Sequence, residues 1–253
     1  MVKKLVAVLV FALVAAVPLR ADVKYMIHME ARPAANASGD PMSQMMAGML
    51  GQIFPPGGID QTVTQGDKGM RSEQKQAFAN IKAGTVTLVR PDGSMLMMDP
   101  STKTYWKQPA VAESLTAGLG GATPEVKILK RGEFETIAGM KAEHLQMQMT
   151  LQIPGVDPAM AAQLGDLTMR FDVWLTDAIK TPAAAGSLSA TVMKQFGLGN
   201  LKELSDGRMM LKSVMTMFGV EIVTTSTGFT NEPAPASLFE PPADYKEVPS
   251  PIR

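Results

Sequence analysis

The chain has 253 residues, with 24 basic and 24 acidic side chains and no cysteine. The lack of thiols excludes disulfides, thiolate metal sites and a lipid-modified N-terminal cysteine. The balanced charge argues against nucleic acid or an anionic membrane surface as a partner, because both attract strongly basic proteins.

The N-terminal segment predicts a cleaved secretory signal peptide over residues 1–21. Two lysines precede an apolar run of 13 residues from Leu5 to Val17, and Ala21 is the small residue before the expected cleavage site. The run is shorter than the roughly 20 residues of a membrane span, although an uncleaved anchor is the alternative. Cleavage would leave 21 basic against 24 acidic side chains, a net charge of −3. We therefore expect a periplasmic or secreted protein without stable membrane insertion.

Residues 22–253 are predicted to form a single domain in which strands dominate. Apolar and polar residues alternate most clearly over 141–153 and 167–177, as in a strand with one apolar and one polar face. Further strands are expected at 23–30, 59–65, 69–76, 85–90, 94–99, 103–107, 126–137, 208–218 and 220–229, with a loop over 32–41. Short helices are expected at 42–53, 111–119, 154–166 and 188–196, before a proline-rich C-terminal tail. Roughly ten strands with a few helices predict a mainly β (α+β) fold, a strongly curved, unclosed antiparallel β-barrel with helices covering its concave face.

Four segments resemble a known superfamily. They are Asp99–Trp106 (DPSTKTYW), Thr136–Ala142 (TIAGMKA), Phe171–Thr176 (FDVWLT) and Ser237–Lys246 (SLFEPPADYK). Together they resemble the periplasmic lipoprotein-carrier (LolA/LolB-like) superfamily, and within it an exported bacterial domain family of unknown function. The resemblance implies a concave apolar surface that receives an acyl chain or another lipid.

Methionine is frequent, with 20 residues beyond Met1, and several lie two apart within a predicted strand. Three interpretations are open. The methionines fill an ordinary β core, they form an adaptable lining for a variable apolar ligand, or their thioethers bind Cu(I) in an exported protein.

The predicted function is non-enzymatic binding of a lipid or other hydrophobic small molecule in the concavity of the sheet, without a cofactor or metal. The helix over 42–49 would act as a lid that controls release. A structural or interaction module of the cell envelope, with an envelope protein as its possible partner, is the alternative, and a Cu(I)-binding protein is another. The residues predicted to line the ligand site are Met147, Met149, Leu151, Met169, Phe171 and Val173.

No catalytic motif is convincing. Ser72-Glu73-Gln74-Lys75 fits the S-x-x-K pattern of penicillin-recognising enzymes, but that serine must open a helix, and Ser72 lies in a predicted strand. The two histidines, His28 and His144, lie on polar strand faces. Each could join a neighbouring glutamate, Glu30 or Glu143, in a weak metal site, but we expect both to be solvated.

Three aromatic residues, Tyr105, Trp106 and Trp174, could border a ligand entrance, where rings with one polar end are favoured. Packing on the outer side of the sheet under the tail is the alternative.

Overall fold

The structure is a computed structural model that describes residues 22–35, 44–45, 48, 54–78, 81–92, 94–108, 123–152, 168–180, 207–217 and 219–250. Within these ranges it has twelve strands and one 3-10 helix, Ala236–Phe239. The strands are β1 (Val23–Pro33), β2 (Ile59–Gly66), β3 (Gly69–Gln74), β4 (Val86–Val89), β5 (Met95–Asp99), β6 (Thr104–Gln108), β7 (Thr123–Ile137), β8 (Met140–Gln152), β9 (Thr168–Lys180), β10 (Arg208–Met217), β11 (Val220–Asn231) and β12 (Lys246–Glu247).

All twelve strands form one sheet in the order β12-β6-β5-β4-β3-β2-β1-β11-β10-β9-β8-β7. Two meanders, β1–β6 and β7–β11, meet where β1 pairs with β11, so that Val23 lies opposite Asn231. The ladders are antiparallel, as predicted, except that the two-residue β12 pairs parallel with β6. The mainly β, unclosed and curved sheet is as predicted.

Curvature also follows from the length of the connection between β6 and β7. These strands are ten positions apart in the sheet order, which in a flat sheet is about 48 Å. The chain between Gln108 and Thr123 reaches about 50 Å only when fully extended. A flat sheet would therefore leave this connection almost no slack, whereas a curved sheet brings its two edges closer together.

The helices expected to cover the concave face are not found among the described residues, apart from three helical residues of one of them. Gln44, Met45 and Gly48 are helical, within the segment predicted as the methionine helix, and Met45 is exposed. The helices expected at 111–119, 154–166 and 188–196 and the signal peptide at 1–21 lie outside the described residues. No helix among the described residues is long and apolar enough to cross a membrane.

The prediction that a loop begins at Arg32 is wrong, because strand β1 continues through Pro33. Arg32 pairs with Glu221 of β11 in the ladder, and their side chains form a 2.9 Å ion pair. Pro33 ends the strand, a position where the missing N–H costs little.

Three clusters of buried side chains form the core. The central cluster contains Val23, Tyr25, Val63, Ala142, Trp174, Met209, Leu211, Val214 and Val223. The methionine cluster contains Leu145, Met147, Met149, Val173 and Leu175, with Val126, Ile128, Met169, Phe171 and Met210 packed against it. The tail cluster contains Val86, Leu88, Leu96 and Met98, with Tyr105 and Tyr245 against it.

Strands β8 and β9 bury side chains on both of their faces. Trp174 belongs to the central cluster and its neighbour Val173 to the methionine cluster, and successive side chains of a strand point to opposite faces. Ala142 and Leu145 divide in the same way between the two clusters. The face that carries Ala142 and Trp174 was predicted to be polar and solvated, and it is instead partly enclosed.

The proline-rich tail closes over the β3–β6 region. Phe239 of the 3-10 helix is buried, and Lys103 forms a 2.8 Å ion pair with Asp244. The N–H of Lys246 then donates to the carbonyl of Lys103, which starts the short β12 ladder.

Candidate functional site

The methionine cluster brings together five of the six residues predicted to line a ligand site. In the β8–β9 ladder, Met149 lies opposite Met169 and Met147 lies opposite Phe171. Two residues further along the ladder, Val173 lies opposite Leu145. The period-two side-chain alternation puts all of these on one face. The sixth residue, Leu151, lies near the end of β8, opposite Pro124 of β7.

The five residues differ in how accessible they are. Met147 is 1% exposed, and Met149 and Val173 are each 3% exposed. Met169 and Phe171 are only half-buried. The arrangement is a covered apolar cluster with Met169 and Phe171 at its margin.

The opposite face of the same strands carries a polar cluster built around His144. One ring nitrogen of His144 lies 2.7 Å from a carboxylate oxygen of Asp172, to which Gln146 also donates at 2.6 Å. The imidazole stacks on Trp174 with 4.5 Å between ring centroids, and Lys212 Nζ lies 4.6 Å from the centre of the Trp174 ring.

His144 is thus not the solvated histidine expected from the sequence, since its side chain is 13% exposed. Glu133 and Glu135 of β7 approach its other nitrogen at 3.9 Å. The sequence carried one signal of this environment, because Trp174 interrupts the polar positions of its strand and a large ring there needs a covered face.

Glu143 does not join His144 and instead ties three strands together. Its carboxylate pairs with the Arg208 guanidinium of β10 and accepts a hydrogen bond from the Gly132 N–H of β7 at 3.0 Å. The hydrogen bond from Arg208 is the main reason that the pKa of Glu143 lies below its ordinary value. Both side chains are mostly buried, so the pair is a structural link.

His28 is more accessible and contacts Asp60 of β2. Nδ1 of His28 lies 2.8 Å from Asp60, and Glu30 lies 3.9 Å from Nε2. The hydrogen bond with His28, followed by that from Gln76, lowers the pKa of Asp60. Across the described ranges, no three histidine or carboxylate side chains are arranged to hold a metal ion.

The three aromatic residues do not meet at one entrance. Trp106 is 8% and Trp174 is 7% exposed, and Trp174 belongs to the central cluster. Tyr105 packs with Tyr245 of the tail on the tail cluster. These positions favour the packing interpretation.

Ser72 lies in strand β3, and its hydroxyl donates to Gln61 at 2.7 Å. The S-x-x-K pattern at this position therefore lacks the helix on which its chemistry depends.

A cleft of about 300 Å³ lies at the far end of β1, and nothing in the sequence pattern indicated it. Glu30 and Arg32 line one side, and the turn Phe54–Gly58 lines the other. Gly58 has φ +76°, and a Cβ at this position would lie 2.5 Å from the carbonyl oxygen of Met29. The turn is therefore packed directly on the strand.

Comparison with known proteins gives one family match and several similar solved structures. Lipoprotein LppX of Mycobacterium tuberculosis is 13% identical over 92% of this chain and 98% of its own, with a TM-score of 0.34. A LolA superfamily protein of Nitrosomonas europaea is 10% identical over 88% and 91%, with a TM-score of 0.35. A DUF1329 family protein of Desulfovibrio piger is 8% identical over 90% and 93%, with a TM-score of 0.34. A search of curated protein sequences finds no match. The model of the domain of unknown function DUF4412 matches residues 49–245, most of the chain, and the protein therefore belongs to the DUF4412 family.

Proposed function

We propose that this protein is an exported carrier that binds a lipid or another apolar molecule non-covalently against the methionine cluster. The observation that carries the proposal is the grouping of Met147, Met149, Met169 and Met210 with Phe171 on adjacent strands. Unbranched thioether side chains repack around ligands of different shape, which suits a site for acyl chains of variable length. Binding is sequestration, and the predicted 42–49 helix serves as the lid.

The energetics require an enclosed site. An acyl chain of about 14 methylenes gains about 11 kcal/mol at about 0.8 kcal/mol for each buried methylene. Association costs about 4 to 15 kcal/mol, so a shallow groove would not bind usefully. Met147 and Met149 are already covered by the protein's own side chains, so an acyl chain must displace part of that packing, which the flexible thioether side chains allow.

Native mass spectrometry of protein purified from the bacterial envelope tests the proposal, together with solvent extraction of the same sample. We expect an adduct with the mass of a lipid and recovery of that lipid in the extract. A protein that carries no adduct and binds no dansyl-labelled fatty acid after extraction would overturn the carrier and favour the envelope-module alternative.

A matched pair of variants locates the site. Phe171→Ser removes a half-buried ring from the methionine cluster, whereas Phe229→Ser removes a half-buried ring that stacks on Tyr25 against the central cluster. Both variants lose packing, but only Phe171→Ser should weaken binding of the labelled fatty acid. Equal loss of binding in both variants would place the ligand elsewhere.

Cu(I) binding is the second candidate, because Met149 and Met169 are directly opposite in the ladder and Met147 and Met210 belong to the same cluster. Met149→Leu keeps the side-chain volume and removes the thioether. Under this function it lowers the Cu(I) stoichiometry in a competition titration, while Met98→Leu in the tail cluster leaves it unchanged. No Cu(I) binding by the unmodified protein would refute it.

A further inference from the structure

Strand β7 forms one edge of the sheet. It is the last strand in the sheet order, and β8 is its only partner among the described strands. Its 15 residues make it the longest strand described, and every residue from Leu129 to Thr136 is exposed. A long exposed edge is a template on which another strand can pair.

The side chains along this edge are symmetric about the point between Arg131 and Gly132. Between Lys127 and Glu135, positive charges precede that point at Lys127, Lys130 and Arg131, and negative charges follow it at Glu133 and Glu135; the acidic Glu125 lies outside this segment. Two of the large apolar side chains exposed on the described surface flank the same point at equal distance. They are Leu129, 41% exposed, and Phe134, 56% exposed.

Two bulges determine how a second strand would align. Against β8, Ile128 and Leu129 lie opposite Met147 alone, and Arg131 and Gly132 lie opposite Leu145 alone. The second bulge is held by the hydrogen bond from the Gly132 N–H to Glu143. An antiparallel copy of β7 centred on this bulge places the first half of one strand against the second half of the other.

We propose that β7 pairs antiparallel with β7 of a second copy of this chain to form a two-fold symmetric dimer. Lys130 then lies opposite Glu133 of the partner subunit, and Leu129 lies opposite the partner's Phe134. The bulge makes Ile128 and Leu129 count as a single position of the ladder. Lys127 therefore lies opposite the partner's Glu135. Each contact occurs twice, as two-fold symmetry requires.

The charge pattern selects this register against others. A parallel, in-register copy sets lysine against lysine and glutamate against glutamate, which is unfavourable for directly opposite residues. Bulges and charges usually protect an edge from pairing. Here the charges change sign at the centre of symmetry, so they disfavour other registers and favour this one. Within one chain, Lys130 and Glu133 form an exposed ion pair at 3.9 Å. Replacing this weak pair with ion pairs between the two subunits therefore costs little.

Analytical ultracentrifugation of the purified protein and its charge variants tests the dimer. The unmodified protein should dimerise, and the dimer should weaken as salt screens the charged contacts. Lys130→Glu and Glu133→Lys should each raise the dissociation constant about tenfold or more, since each creates two like-charge contacts. The double variant should restore the affinity, and Lys68→Glu in the exposed β2–β3 turn should not change it.

Cross-linking tests the register, since the chain has no cysteine of its own. Leu129→Cys combined with Phe134→Cys should give a covalent dimer on oxidation, because directly opposite Cβ atoms are about 5 Å apart. Each single variant should give far less. A monomer at every concentration, a dimer that neither charge reversal weakens, a double charge variant no tighter than the single ones, or single cysteine variants that cross-link as well as the pair would each overturn the proposal.

Discussion

The turn between β5 and β6 provides a quantitative test of how the fold is stabilised. Asp99 accepts hydrogen bonds from the N–H of Ser101 at 2.9 Å and from its hydroxyl, and from Lys82 Nζ at 2.9 Å. The Ser101 hydroxyl, followed by Lys82, lowers the pKa of Asp99 from 3.8 to about 2. We propose Asp99→Asn, which keeps the shape of the side chain and removes its charge.

The magnitude follows from the pKa. A pKa that is lower by one in the folded than in the unfolded state corresponds to 1.36 kcal/mol, and the pKa of Asp99 falls from 3.8 to about 2. Solvent screening at the protein surface reduces this to about 1 to 2 kcal/mol. Because the folded-state pKa is the lower one, the contribution is fully present above about pH 4. It is lost as the pH falls through about 2.

Urea unfolding between pH 7 and pH 2 measures this contribution. We expect Asp99→Asn to be less stable than the unmodified protein at pH 7 by about 1 to 2 kcal/mol, with a difference that shrinks toward pH 2. Asp92→Asn is the matched control, because Asp92 also binds the N–H and hydroxyl of a serine two residues later, in a more exposed turn. A stability difference that does not change with pH, or an equal loss in Asp92→Asn, would refute the reasoning.

Three further predictions concern the sheet, the turn beside the cleft and the ligand. Glu143→Gln should lower the free energy of unfolding by about 2 kcal/mol in urea titrations, because it removes the charge that pairs with the mostly buried Arg208 and accepts the Gly132 N–H; a loss below about 1 kcal/mol would contradict the structural link. Gly58→Ala should destabilise clearly more than Gly57→Ala in thermal melts, because both have positive φ but only at Gly58 does a Cβ meet the backbone, at 2.5 Å; equal losses would show that the turn is not packed on the strand. Delipidated protein should melt at a lower temperature, and a fatty acid at about 100 times its dissociation constant should restore about 2.7 kcal/mol; an unchanged melting temperature would contradict the carrier function.

The sequence predicted the strands well, because alternation is a local property of the chain. Strand β8 spans Met140–Gln152 against a prediction of 141–153, and β10 spans Arg208–Met217 against 208–218. The order of the strands could not be predicted in the same way, since the pairing of β1 with β11 joins residues about 200 positions apart, such as Val23 and Asn231. The two-residue β12 is too short to leave a periodic signal.

The sequence predicted which residues of the candidate site share one face, but it did not predict what surrounds them. Met147, Met149, Met169, Phe171 and Val173 share that face because two-residue periodicity determines it. The burial of His144 depends on Asp172 and Trp174 of the neighbouring strand, and cross-strand partners are invisible until the register is known. The bulge at Leu129 was also missed, because an extra residue interrupts alternation without a distinctive residue type.

The seam between β1 and β11 has a consequence for how the chain folds. Strands β1–β6 are consecutive in the chain and can assemble among themselves, but β1 has no neighbour on its second side until β11, formed by residues 220–231, pairs with it. Such long-range closure is slow compared with local hairpin formation. The polypeptide therefore passes through a half-built stage with an open strand in what will become the middle of the sheet, and it is at this stage that a holding chaperone would protect it best.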